Sequence, residues 1–203
     1  MRRRGLLVLL LAPAVVRPAR AGAGPAAPVA ALYAGLLGVM KQGRAVPFAT
    51  RFAALAPVIA ANFDLARILR LAVGPEWAGL PAAAKRRLAH LFRDFTVASY
   101  VANFDRYSGE KFDVLPGSRA VGAERVVKTE IVGGDGTRNR LDYVVAPHGG
   151  GWRIVDVLLE GTISQLAVQR SEYSGLVGAG DAARLIAALA AKIGQLSGGA
   201  LHG

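Results

Sequence analysis

Apolar positions along the chain recur first at helical spacing, then alternate as in strands, then return to helical spacing. Val29 to Lys41 reads as a helix, with Leu32, Leu36, Val39 and Met40 on one side. Phe48 to Leu55 and Val58 to Phe63 read as two short helical pieces, because Pro57 cannot donate a hydrogen bond within a continuous helix. Asp64 is placed to cap a helix over Leu65 to Val73, which Gly74-Pro75 ends. Pro81 opens the longest helix, 81–106. On it Leu88, Leu91, Phe92, Phe95, Ala98, Ser99 and Ala102 share one face, while on the other Arg86, His90 and Arg93 give way to Val97, Val101 and Phe104. Its second half is apolar nearly all round, so it is sandwiched in the core or borders an internal cavity.

After Tyr107-Ser108-Gly109 the period becomes two, over Lys111 to Leu115, Arg119 to Val132, Arg140 to Ala146 and Trp152 to Glu160. The glycine clusters at 133–136 and 149–151 supply the positive φ angles of tight turns, so the last three strands form an antiparallel meander. The last strand is apolar on both sides, with Val155, Val157 and Leu159 on one and Trp152, Ile154 and Leu158 on the other. It is covered on both faces, or one face lines a cavity. Helical spacing resumes over Ile163 to Val177 and, behind an Asp181 cap, over Ala182 to Leu196. This order defines an α+β domain: a small curved antiparallel sheet of four strands wrapped by N- and C-terminal helices, an apolar cavity lying between sheet and helices where the core is not solid.

The charge balance needs correcting before it is interpreted. Of 25 basic residues, five lie in the first 21 positions, so a chain cut after Ala21 keeps 20 basic and 14 acidic residues, net +6 instead of +11. Residues 1–21 have the parts of a secretory signal: Arg2-Arg3-Arg4, an apolar run from Gly5 to Val16, and Ala19-Arg20-Ala21. The run is shorter than the roughly 20 residues of a membrane span. The expected organisation is a signal over 1–21, a flexible lead-in over 22–28, one domain over 29–197 and a disordered tail over 198–203. With no cysteine, the exported domain relies on its core and not on disulfides.

Recognisable chemistry is sparse. His90, His148 and His202 form no metal pattern, no nucleophile elbow is present, and the glycine clusters lead into strands and not into a phosphate-binding helix. The basic residues are dispersed and carry no aromatic-interleaved motif, which argues against nucleic acid. No cofactor and no metal are expected. Two charged residues interrupt apolar stripes: Arg170 and Asp156. Arg170 either meets Asp156, Glu160 or carbonyl groups, or waits at a cavity mouth for an anionic headgroup. An enzymatic alternative pairs Asp142 or Asp156 with Tyr143 as acid and base, and a third reading is an envelope scaffold with a solid core.

Several segments carry a resemblance. Phe63-Asp64-Leu65-Ala66-Arg67, Val73-Gly74-Pro75-Glu76-Trp77, Gly150-Gly151-Trp152-Arg153-Ile154-Val155-Asp156-Val157, Glu160-Gly161-Thr162-Ile163-Ser164 and Gln169-Arg170-Ser171-Glu172-Tyr173 occur in the order of the MlaC family of periplasmic phospholipid-binding, toluene-tolerance auxiliary proteins. Within it, Thr96 to Asp105 and Gly161 to Ser164 are most similar to the hopanoid-associated HpnM branch. The resemblance, over 29–197, implies a non-catalytic periplasmic carrier that encloses a phospholipid or hopanoid-type lipid. Its implied partners are an inner-membrane lipid transporter complex, an outer-membrane lipoprotein or porin complex, and, transiently, the membrane surface. The contacts expected on this reading are Phe95, Val97, Tyr100, Val101 and Phe104 of the long helix, Val127, Tyr143, Val155 and Val157 of the sheet, and Ile163, Leu166 and Arg170 beyond it. Gly161 is expected to let the following helix shift.

Overall fold

The computed structural model describes residues 24–201 and 203; the expected signal segment 1–21 lies outside the described residues. Among the described residues, six helices and five strands follow the helix, strand, helix order read from the sequence. The helices are α1 (Ala27–Gln42), α2 (Phe48–Asn62), α3 (Leu65–Val73), α4 (Ala82–Asn103), α5 (Gln165–Ser174) and α6 (Ala183–Leu196), with a 3-10 turn over Gly74–Trp77. The strands are β1 (Lys111–Val121), β2 (Glu124–Val132), β3 (Arg138–His148), β4 (Gly151–Leu159) and β5 (Ile163–Ser164). They make one antiparallel sheet in chain order, β1-β2-β3-β4-β5, whose edges do not close on one another.

Local chemistry accounts for most boundaries. The Asp64 side chain accepts from Arg67 N at 3.1 Å and caps α3, and Gly74 ends that helix at φ 76°. Ser164 caps α5 by accepting from Ala167 N at 2.9 Å. Pro57 does not divide α2 into two pieces as the sequence suggests. Its missing N–H would have served the Ala53 carbonyl four residues back, and both residues are exposed, so that carbonyl is not left buried without a partner, while buried Leu55 and Ile59 hold the helix across it. The reading of 119–132 as one strand fails because Gly122-Ala123 form a two-residue hairpin turn, with Val121 opposite Glu124 and Gly122 at φ 57°. The tail also departs from its expected disorder: Leu201 N donates to Ser197 Oγ at 3.0 Å, and Leu201 packs against the core.

The core is continuous from α1 through α2, α4 and α6 to the inner sheet face, where Val127, Tyr143, Val145 and Ile154 join it. Arg51, inside this layer, gives its guanidinium to the carbonyls of Val46 and Val101, which disposes of a buried cation without a carboxylate. The α2–α3 corner is pinned to the sheet where Asp64 N donates to Ile154 O at 2.9 Å and Arg153 reaches the carbonyls of Ala60 and Phe63. That corner and α5 stand away from the inner sheet face, and a space remains between them and α4.

Candidate functional site

This space is a cavity of about 600 Å³, within the usual range for small-molecule sites. Three walls define it. The corner after α2 gives Phe63, Leu65 and Ile68; the sheet gives Ile131, Leu141, Val157 and Leu159; and β5 with α5 gives Ile163 and Leu166. The roof is α4, whose Phe92, Phe95, Thr96, Ser99, Tyr100 and Asn103 recur at three- and four-residue intervals and so form one stripe, continued by Phe104.

The polar members of the stripe do not make the cavity polar. Thr96 Oγ1 donates to Phe92 O at 2.7 Å and Ser99 Oγ donates to Phe95 O at 2.8 Å, each within its own helix. Their only donor hydrogens are spent on the backbone, and the small side chains leave volume. Aromatic rings bound the inner side: Phe63 meets Tyr100 edge-on at 5.8 Å between centroids, Tyr100 stacks on Phe104 at 6.0 Å, and Phe104 continues through Phe112 and Tyr33 to Tyr143. Burial raises the pKa of Tyr100 and Tyr143 above the ordinary phenol value, so both remain protonated donors at neutral pH.

The mouth lies at the β4–β5 edge, where Leu159 and Ile163 face each other across the strands and are 40% and 50% exposed. Its polar rim includes Asn139, Arg140, Glu160, Gln165 and Gln169. Arg140 is held by two-pronged bonds to the buried Asp142 carboxylate, 2.6 Å from Nη2 and 3.2 Å from Nε, which also raises the arginine pKa. Beside it, Gly161 stands at φ 72°, and a Cβ there would come 2.5 Å from Arg140 Nε. Glycine is therefore required by backbone conformation and by the guanidinium packed over the turn.

Six of the twelve expected contacts meet at this cavity: Phe95, Tyr100, Phe104, Val157, Ile163 and Leu166. The other six do not line it. Val97 and Val101 are completely buried in solid core on the other side of α4, and Val127 and Tyr143 lie in the core of the sheet. Val155 is displaced by a bulge: Val145 pairs with Ile154 while Val144 pairs with Asp156, so β4 loses strict alternation and Val155 is buried outside the contiguous core. Arg170 is exposed and lies near Gly74; among the described residues it makes neither an ion pair nor a side-chain hydrogen bond, and it is not at the mouth.

Asp156 has a role that the alternation concealed. Its carboxylate accepts from Val157 N at 2.7 Å, Leu166 N at 2.9 Å and Ser164 Oγ at 2.5 Å, tying the bulge to the start of α5. Neither proposed acid–base pair is assembled. Asp142 is engaged by Arg140, Asp156 by those three donors, and Asp142 and Tyr143 are successive strand residues that point to opposite faces. Among the described residues, no three His, Asp or Glu side chains come together as a metal site, and no helix is long and apolar enough to cross a membrane. Phe63, Leu65 and Ile68 were absent from the expected contacts because they belong to a corner read for its cap. Thr96, Ser99 and Asn103 were absent because an apolar search passes over them.

Comparison with known proteins agrees with this architecture. The family model described as MlaC protein matches residues 31–191. A solved phospholipid-binding protein from Ralstonia solanacearum, in complex with a phospholipid, superimposes with a TM-score of 0.73 at 19% identity, covering 86% of this chain and 99% of its own. No curated protein matches the chain.

Proposed function

The chain belongs to the MlaC family, and from that premise we propose that it is a periplasmic carrier, its domain at 29–197 holding the hydrocarbon part of a lipid and shuttling it between inner and outer membranes. The observation that carries this reading is the apolar cavity of about 600 Å³ between α4 and the sheet, in a fold shared with a protein that binds phospholipid. Free diffusion of a lipid through water exposes each methylene at a cost of about 0.8 kcal/mol, which such a cavity removes. Export by residues 1–21, exchange with an inner-membrane transporter complex and an outer-membrane lipoprotein or porin complex, and transient membrane contact belong to the same proposal. The exposed Leu159 and Ile163 suit the transfer step, because they give a tail leaving the cavity an apolar side of the rim to cross, away from Arg140, whose charge is engaged by Asp142.

The cargo is a phospholipid or, on the HpnM-like reading of Thr96 to Asp105, a hopanoid-type polycyclic lipid. No catalytic step is assigned, since neither carboxylate considered is free to act on a bound molecule. Native mass spectrometry with organic extraction, on protein purified without detergent, tests the reading. Lipid at near-stoichiometric occupancy is the expected result. Apo protein that also takes up no lipid from phosphatidylethanolamine–phosphatidylglycerol vesicles would overturn it.

A further inference from the structure

Behind the inner wall of the cavity lies a group of hydroxyls whose hydrogen-bond accounting does not close. Tyr143 is completely buried, and its hydroxyl has no partner. An unpaired phenol in an apolar interior is unfavourable, and phenylalanine would fill the same space without that cost. The nearby hydroxyls do not resolve it. Thr129 Oγ1 donates to Leu141 O, so Tyr33 is the donor in its 2.5 Å bond with Thr129; its oxygen keeps acceptor capacity and lies near the Tyr143 hydroxyl, but the two do not reach hydrogen-bond geometry. Tyr100, which borders the cavity itself, brings its hydroxyl near that of Tyr143 without closing a hydrogen bond to it.

Tyr143 is also directed toward the lipid space. It stands two residues from Leu141 on the same strand face and directly opposite Val157, and both neighbours line the cavity. Its ring meets Tyr33 edge-on at 5.7 Å. An interior that only had to hold hydrocarbon would have no use for two phenols at its inner end. The chemistry they select is a neutral oxygen: both stay protonated, which suits an acceptor, and the lining cation Arg140 is already committed to Asp142 at the mouth, which leaves none for an ionised group.

We propose that Tyr143 and Tyr100 form a polar subsite at the inner end of the cavity, which takes a hydroxyl carried by the buried part of the lipid. This rests on the carrier reading above and specifies its cargo: a lipid with an oxygen within its hydrophobic portion is held in preference to the same lipid without one. An ordered water alone is the competing occupant.

Competition in native mass spectrometry separates these cases, with delipidated protein offered stearic acid together with hydroxystearic acids that bear the hydroxyl at mid-chain or at the methyl end. At least one hydroxy isomer is expected to be retained about two- to tenfold over stearic acid, the range of one neutral hydrogen bond. Tyr143→Phe and Tyr100→Phe should each bring that ratio close to one while stearic acid still binds. Tyr143→Phe should not lower the melting temperature, since it removes a hydroxyl without a protein partner. Equal retention of all the acids by the wild type, or a preference that survives in both variants, overturns the subsite. A flat series together with a lower melting temperature for Tyr143→Phe identifies an ordered water only, and also overturns it. If the wild type retains none of the acids but takes up lipid from phosphatidylethanolamine–phosphatidylglycerol vesicles, the subsite is overturned and the carrier reading stands; if it takes up neither, the carrier reading itself fails.

Discussion

Along α4, Leu91, Val97 and Val101 are wholly buried in the layer formed with α2 and α6, while Phe95, Thr96, Ser99 and Tyr100 on the adjoining stripe border open volume. The closed side is the more apolar of the two. The open side mixes aromatic rings with small hydroxyl residues that bond back to their own helix, so it presents carbon to the cavity and leaves room in it. A helix facing solid core is selected for filling space, and one facing a ligand for failing to fill it. Hydrophobicity by itself therefore points to the wrong side.

The closed side should fail first when it is truncated. Leu91→Ala should cost about 2–5 kcal/mol, because the surrounding helices cannot collapse onto the space, and chemical denaturation would measure it. A loss below about 1 kcal/mol would mean that this layer is also loosely packed. Phe95→Ala on the open side should cost less, about 1–2 kcal/mol, since the ring already borders empty volume and part of the cavity penalty is present in the wild type. Equal losses at the two positions would abolish the distinction.

Filling the open side should separate stability from loading. Ser99→Trp should leave the melting temperature of lipid-free protein within a few degrees while reducing co-purifying lipid about tenfold, a change in occupancy worth about 1.4 kcal/mol. Full lipid occupancy in that variant would place the ligand elsewhere.

The smallest effect appears only in alkali. The pKa values of Tyr100 and Tyr143 are raised in the folded protein by burial, so their contribution to stability is fully present below the unfolded phenol value of about 10 and falls as the pH rises above it. Tyr143→Phe should flatten that decline, and Tyr173, likewise raised by burial, should keep some of it. Urea midpoints measured on both sides of pH 10 would check this; an unchanged slope would show that Tyr143 ionises no less readily than an exposed phenol.

The legible and illegible parts of the site differ in kind. Asp64, Gly74 and the paired glycines of the β3–β4 turn could be read because caps and turns are set by residues a few positions apart. Phe95, Tyr100, Phe104, Val157, Ile163 and Leu166 were identified because each is an apolar residue in an element with more apolar surface than a simple core requires. Val155 was misplaced by one bulge, which shifts a strand's faces without leaving a mark in its composition. Arg170 was assigned to the mouth as an interruption in an apolar stripe, yet the turn of α5 exposes it on the side near Gly74. Arg140, the cation that does stand at the mouth, gave no such signal, because its role depends on Asp142 behind it and Gly161 beside it.

The sequence by itself determined the order of helices and strands, the meander of the sheet, and an excess of apolar residues around 95–104 and 152–166. These follow from periodicity, capping and turn chemistry, which act over a few residues. Only the tertiary structure decided that the excess surrounds a space, that Thr96 and Ser99 rather than Val97 and Val101 face it, and that Tyr143 ends beside it with an unpaired hydroxyl. A cavity is volume left between elements distant in the chain, and its walls depend on how α4, α5 and the α2–α3 corner stand against the sheet, which no local pattern encodes.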